Sequence, residues 1–91
     1  MNMNTKQRKA LKAQAHHLKP VVRVGQKGVS VSLLEETSQA LDIHELIKVH
    51  VADDDRDSRS RCMEELASRC GAELVDRIGK ICILYRKRNS E

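Results

Sequence analysis

Pro20 divides two incompatible hydrophobic patterns, and the same alternation recurs to the end of the chain. Before it, Leu11, Ala15 and Leu18 recur at four and seven residues, the spacing of one helix face. After it, Val21-Val22-Arg23-Val24 is a short β-branched run that suits a strand. The residue before a proline avoids the α region, so the first helix, capped by Asn4 or Thr5, is expected to end near His17. Gly25-Gln26-Lys27-Gly28 then reads as a loop. A second helix opens at Ser30 or Ser32, the latter forming a capping box with Glu35. Its expected stripe is Val31, Leu34, Ser38 and Leu41, with Leu33 and Ala40 beside it.

The pattern switches back at Leu46–Val51, where Ile47, Val49 and Val51 should face the helices and Leu46, Lys48 and His50 the open side of a sheet. Asp53 to Ser60 is an acidic loop leading into a third helix with Cys62, Met63, Leu66, Ala67 and Cys70 on one stripe. Gly71 suits its carboxyl-terminal cap. Leu74–Ile78 and Ile81–Tyr85 form a hairpin around Gly79-Lys80. The order is α-β-α-β-α-β-β. Strand-helix-strand units call for parallel crossovers, so the expectation is an α/β two-layer sandwich with a mixed four-stranded sheet and three helices. Residues 1–91 read as one domain with an ordered core of about 5–86 and a frayed end at 87–91.

Composition narrows the chemistry. The 91 residues include one aromatic side chain, Tyr85, with no Phe and no Trp. The core must be aliphatic, and base-stacking platforms of the kind used by RNA-recognition motifs and single-strand binders are excluded. The longest apolar run, Ile81 to Tyr85, is far short of the roughly 20 residues of a spanning helix. Residues 1–12 are polar and basic rather than leader-like, so a cytoplasmic protein without membrane contact is expected. Three cysteines at 62, 70 and 82 with no Cys-x-x-Cys pair suit neither a disulfide framework nor zinc, and packing is the expected role.

Charge is segregated along the chain. Residues 1–28 hold seven basic groups and no acid; residues 29–57 hold two basic against eight acidic groups; residues 58–91 hold eight against five. The formal net charge of +4 therefore understates the polarity. A basic amino-terminal third is an electrostatic footprint for a polyanion, with a solvated basic helix as the plainer alternative.

Gly25-Gln26-Lys27-Gly28 sits between a strand and a helix start, where two glycines let a phosphate approach the backbone. A Gly-x-x-Gly loop clamping nucleotide backbone is the device of KH domains. A simple structural turn is the other reading, but the loop follows the basic segment directly. It is not a nucleoside triphosphate loop, for which the Gly-Lys-Ser/Thr ending is missing. Asp53, Asp55, Asp57 and Glu64 imitate calcium-loop spacing, but Ser58 stands where the turn needs Gly, and Arg56, Arg59 and Arg61 crowd the segment. Capping of the third helix is the expected role of these acids. His16, His17, His44 and His50 lack metal-ligand spacing, and no nucleophile arrangement exists. No metal, no cofactor and no enzymatic activity are expected.

Three stretches together resemble a known family. They are Ala15-His16-His17-Leu18-Lys19-Pro20-Val21-Val22 running into Val24 to Gly28, then Glu45-Leu46-Ile47-Lys48-Val49, and last Ile78-Gly79-Lys80 followed by Leu84-Tyr85-Arg86. Their order and spacing resemble the YhbY family, the stand-alone bacterial form of the CRM (chloroplast RNA splicing and ribosome maturation) domain. The resemblance implies a fold similar to the carboxyl-terminal domain of translation initiation factor 3, with an added amino-terminal helix. It also implies a non-enzymatic RNA-binding protein that associates with precursors of the large ribosomal subunit and assists ribosome assembly, with Gly25 to Gly28 as the RNA-contacting loop. His50 departs from the expected pattern, standing where a cation would be, as do Cys62 and Cys70.

The expected RNA-binding residues are Lys6, Arg8, Lys9, Lys12 and Lys19 on the basic segment, Gly25, Gln26, Lys27 and Gly28 in the loop, and Arg23, Lys48 and Arg86 on strands. The expected partner is rRNA in precursor large subunits, with ribosomal proteins as further partners and the chain itself a monomer. Tyr85 is expected to pack rather than stack. The rival readings are a protein adapter, whose acidic stretch Asp42 to Asp57 contacts basic ribosomal proteins, and a generic RNA chaperone.

Overall fold

Each helix begins on a side chain that satisfies one of its orphan backbone donors. In the computed structural model, which describes residues 3–88, helix α1 spans Thr5–Ala15, α2 Val31–His44 and α3 Arg56–Arg69. Asn4 caps α1 in a full capping box with Gln7, Ser30 caps α2 by accepting from the Leu33 N–H, and Asp55 caps α3 by accepting from Ser58. Of the two expected openings Ser30 is the one that caps α2, and the Ser32–Glu35 box does not form the cap. Helix α1 also stops at Ala15, two residues short of His17, and Leu18 is 38% exposed instead of on the stripe. Helix α3 ends in a Schellman motif: Gly71 takes φ 64°, its N–H reaches Ser68 O, and the Ala72 N–H reaches Ala67 O at 2.8 Å.

The strands are β1 Pro20–Val24, β2 Leu46–Val51, β3 Glu73–Ile78 and β4 Ile81–Tyr85, in the sheet order β1-β2-β4-β3. β1 and β2 are parallel, joined through α2, while β4 runs antiparallel to both its neighbours. Gly79 opens the β3–β4 hairpin at φ 59°, the positive angle that a type II′ turn demands of its first residue. The expected mixed four-stranded sheet is what forms.

Alternation sorts β2 as its sequence implied. Ile47, Val49 and Val51 join Val22, Val24, Cys82 and Leu84 in the main core beneath α2 and α3, with Leu33, Leu41, Met63 and Leu66 facing them. The buried row of α2 is Leu33, Thr37 and Leu41; the expected stripe is rotated, and its first member Val31 is 69% exposed. A polar residue fits this row because the Thr37 hydroxyl donates to Leu33 O at 2.8 Å, which removes the cost of burying it.

Helix α1 lies on the other face of the sheet. Ala15, Leu46, Val75 and Ile83 form a second buried cluster there, with Met3, Leu11 and Tyr85 packed against it. Tyr85 accordingly packs. Part of the face expected to stay open is therefore covered. Arg8 fastens the cover: its guanidinium donates to Leu74 O and Val75 O, both at 2.8 Å, where β3 slips register against β4.

Glu45, at the α2–β2 junction, holds φ 63°, a conformation that strains a residue with a Cβ. The carboxyl-terminal strand end braces it. The Arg86 N–H donates to Glu45 O at 2.9 Å, and the Arg88 N–H donates to the Glu45 carboxylate at 2.8 Å. Arg88 is thereby pinned where fraying was expected, and residues 89–91 lie outside the described residues.

Cys70 and Cys82 are buried and Cys62 is half-buried, in agreement with packing roles. Burial raises all three thiols, pushing Cys82 up to about 12. A native-state alkylation series should therefore modify Cys62 first and Cys82 only on unfolding. Mass mapping after a brief maleimide pulse checks this, and early labelling of Cys82 would contradict it.

Candidate nucleic-acid interface

The Gly-x-x-Gly loop projects where β1 ends and α2 begins. The Gly28 N–H closes a turn on Gly25 O at 3.2 Å, and Gly28 adopts φ 75°, so the turn itself needs glycine at 28. Gly25 differs. Its φ is not positive, and a Cβ built on it meets no atom within 4 Å. Nothing inside the described fold demands a glycine there. Lys27 stands exposed at the tip beside exposed Gln26.

A cleft of about 260 Å³ separates this loop from the start of α3. Val29, Val51 and Cys62 line it with Asp53, Ser58 and Arg61. Arg61 is a cation of the loop region that its position in the sequence did not reveal, because the third helix had to fold back onto the sheet to bring it there. Asp53 accepts from the Ser58 hydroxyl and from the Asp55 N–H. The Ser58 bond, then the Asp55 bond, with Arg59 and Arg61 nearby, hold its carboxyl below the usual range. Asp54 is lowered likewise by its contact with Lys80, 2.6 Å away.

The expected cations divide into three groups. Lys6, Lys9, Lys19, Arg23, Lys27 and Lys48 make no ion pair or side-chain hydrogen bond among the described residues. Arg23 and His50 are register partners across β1 and β2, on the sheet face turned away from α2 and α3, and Lys48 shares that face. The Nδ1 of His50 is buried there without a partner among the described residues. Lys12 is exposed but bridges to Asp76 at 3.3 Å.

Two residues of the set are spent on the fold. Arg8 holds α1 to β3, as described above. Arg86 donates to Cys70 O at 2.8 Å, to Ser38 O at 2.9 Å and to the Asp42 carboxylate at 2.8 Å, beside the far ends of α2 and α3. Pairing of this kind is invisible in a sequence, since a basic residue reads the same whether its donors face solvent or backbone carbonyls.

Comparison with known proteins places the chain among relatives. The CRS1/YhbY (CRM) domain matches residues 3–86. A Pseudomonas aeruginosa protein named a probable RNA-binding protein is 41% identical over 87 residues, covering 96% of this chain and 84% of its own. An RNA-binding protein of Haemophilus influenzae is 43% identical over 84 residues, covering 92% of this chain and 85% of its own. The solution structure of a hypothetical protein from Staphylococcus aureus superposes with a TM-score of 0.85 at 29% identity, covering 98% of this chain and 93% of that one.

Proposed function

The chain belongs to the CRS1/YhbY (CRM) domain family, and from that premise we propose that it binds RNA without catalysis, holding the phosphate backbone with its loop and its unpaired cations. Gly25 carries the reading. A glycine that neither backbone angle nor internal packing explains leaves open the approach that an external phosphate needs. Lys27 beside it supplies a full charge, and Lys19, Arg23 and Lys48 extend the positive surface along β1 and β2. With a single half-buried Tyr, recognition follows backbone shape more than base identity.

The target is rRNA in precursors of the large ribosomal subunit, where the chain assists assembly in the cytoplasm as a monomer. The ribosomal target rests on the family resemblance. The acids that a protein adapter would use stay largely exposed at Asp42 and Asp54 but already carry partners within the fold, and the relatives' names favour RNA. Asp42 meets Arg86, Glu45 meets Arg88, Asp54 meets Lys80, and Asp55 caps α3.

Gly25→Ala tests the site. Alanine at a conformation it tolerates should leave stability unchanged or raise it by about 0.4–1 kcal/mol. RNA affinity in a filter or anisotropy assay should nevertheless fall. Lys12→Ala combined with Lys27→Ala should lower affinity and flatten the logarithmic salt slope by about 1.4, two phosphates at about 0.7 each. Unchanged affinity in both variants would remove the site. In-cell crosslinking that recovered no precursor rRNA would remove the ribosomal target and leave RNA binding standing.

A further inference from the structure

A notch of about 370 Å³ opens where the end of α1 meets the sheet. Its floor is aliphatic, formed by Ala15 and Ile83, and Ile78 forms one wall. Ala15 and Ile83 are buried, but Ile78 is 64% exposed, a large apolar side chain standing in a cationic surface. Lys12, His16 and Lys48 ring the opening, and among the described residues no carboxylate lines it. Asp76 pairs with Lys12 of this rim at 3.3 Å. Lys12 is exposed while Asp76 is half-buried, so the ammonium keeps solvent-facing donors for a second anion with the pair left in place.

The combination is specific in its chemistry. Cations at a rim attract phosphate, and an apolar floor between them rejects phosphate and water alike. A ligand suited to both must carry a flat, weakly polar ring on an anionic strand. We propose that this notch receives one unpaired nucleobase of the bound RNA, with its flanking phosphates on Lys12 and Lys48. The inference rests on the RNA-binding reading and deepens it. Duplex RNA has no free base to offer, so the occupant is a loop, bulge or single-stranded end. The contact is aliphatic against ring face, which supplies preference for a base over none while remaining tolerant of base identity.

The test compares an oligouridylate of about 12 nucleotides, within the range of single-strand site sizes, with an abasic ribose-phosphate strand of the same length. The native chain should bind the uridylate about 5- to 10-fold more tightly, equivalent to about 1–1.4 kcal/mol. Ile78→Ser should abolish that preference while leaving affinity for the abasic strand and both salt slopes unchanged. Because Ile78 is exposed, the substitution should cost no more than about 0.5 kcal/mol in stability. Lys48→Gln, by contrast, should weaken both strands and lower both slopes. Equal binding of the two strands by the native chain overturns the notch and leaves backbone-directed RNA binding intact, as does a preference that survives Ile78→Ser. Failure of the native chain to bind either strand at low salt overturns the RNA-binding reading and the notch with it.

Discussion

A fourfold rise in monovalent salt, from about 50 to 200 mM, should weaken RNA binding by roughly 100- to 300-fold. The expectation follows from counting free charges. Lys6, Lys9, Lys19, Arg23, Lys27 and Lys48 are unpaired among the described residues, and exposed Lys12 joins them through donors that Asp76 leaves free, so that most of the seven can displace counterions. Five or six phosphates neutralised on a single strand give a logarithmic slope of about −3.5 to −4. Arg8 and Arg86 do not enter the count, because their guanidinium groups already donate to backbone carbonyls. Neutralising Lys27 should therefore change the slope, and Arg86→Met should not, measured well below the unfolding temperature of each variant. A native slope shallower than about −2 would mean that backbone charge is not the main source of affinity.

Arg86→Met should lower stability by about 2–3 kcal/mol, the scale of losing charge-assisted hydrogen bonds and stranding their acceptors. Its side chain is only 23% exposed, and it joins three parts of the chain. One nitrogen donates to Cys70 O, an end carbonyl of α3 that the helix cannot satisfy itself. The other serves Ser38 O and the Asp42 carboxylate on α2. For a domain of this size the loss corresponds to a fall of roughly 10–20 °C in melting temperature. Arg86→Lys should recover only part, because one ammonium on a flexible stem does not reproduce the planar fork. Denaturant or thermal unfolding decides it, and a loss under about 0.5 kcal/mol would show the clasp to be incidental.

Much of the fold was legible because local rules decided it. Pro20 had to end a helical segment, Gly71 and Gly79 had to take positive angles, and the alternation of Ile47, Val49 and Val51 had to point to one layer. The errors share a cause. The stripe of α2 was read from helical spacing that started at Val31, which passed over Thr37. Burial of Thr37 depends on a hydrogen bond along the helix, and exposure of Val31 depends on where the sheet lies. Placement of α1 was equally hidden, since its small apolar stripe of Leu11 and Ala15 suits either face.

The candidate site divides along the same line. Its loop was evident from two glycines between a strand and a helix, and its sign from a run of cations without acids. Which cations remain free was not evident. Arg8 and Arg86 became braces because folding brought carbonyls within their reach, and Arg61 joined the loop because α3 packs across the sheet.

By itself the sequence determined the element order, the sheet's composition, the aliphatic character of the core and the basic character of the amino-terminal third. Backbone sterics and hydrophobic periodicity act over a few residues and are written in the chain directly. Tertiary structure alone decided the partners of each charge, the side of the sheet that α1 covers and the notch left beside it. Those outcomes depend on groups tens of residues apart meeting at hydrogen-bond distance, and no local pattern encodes such a meeting.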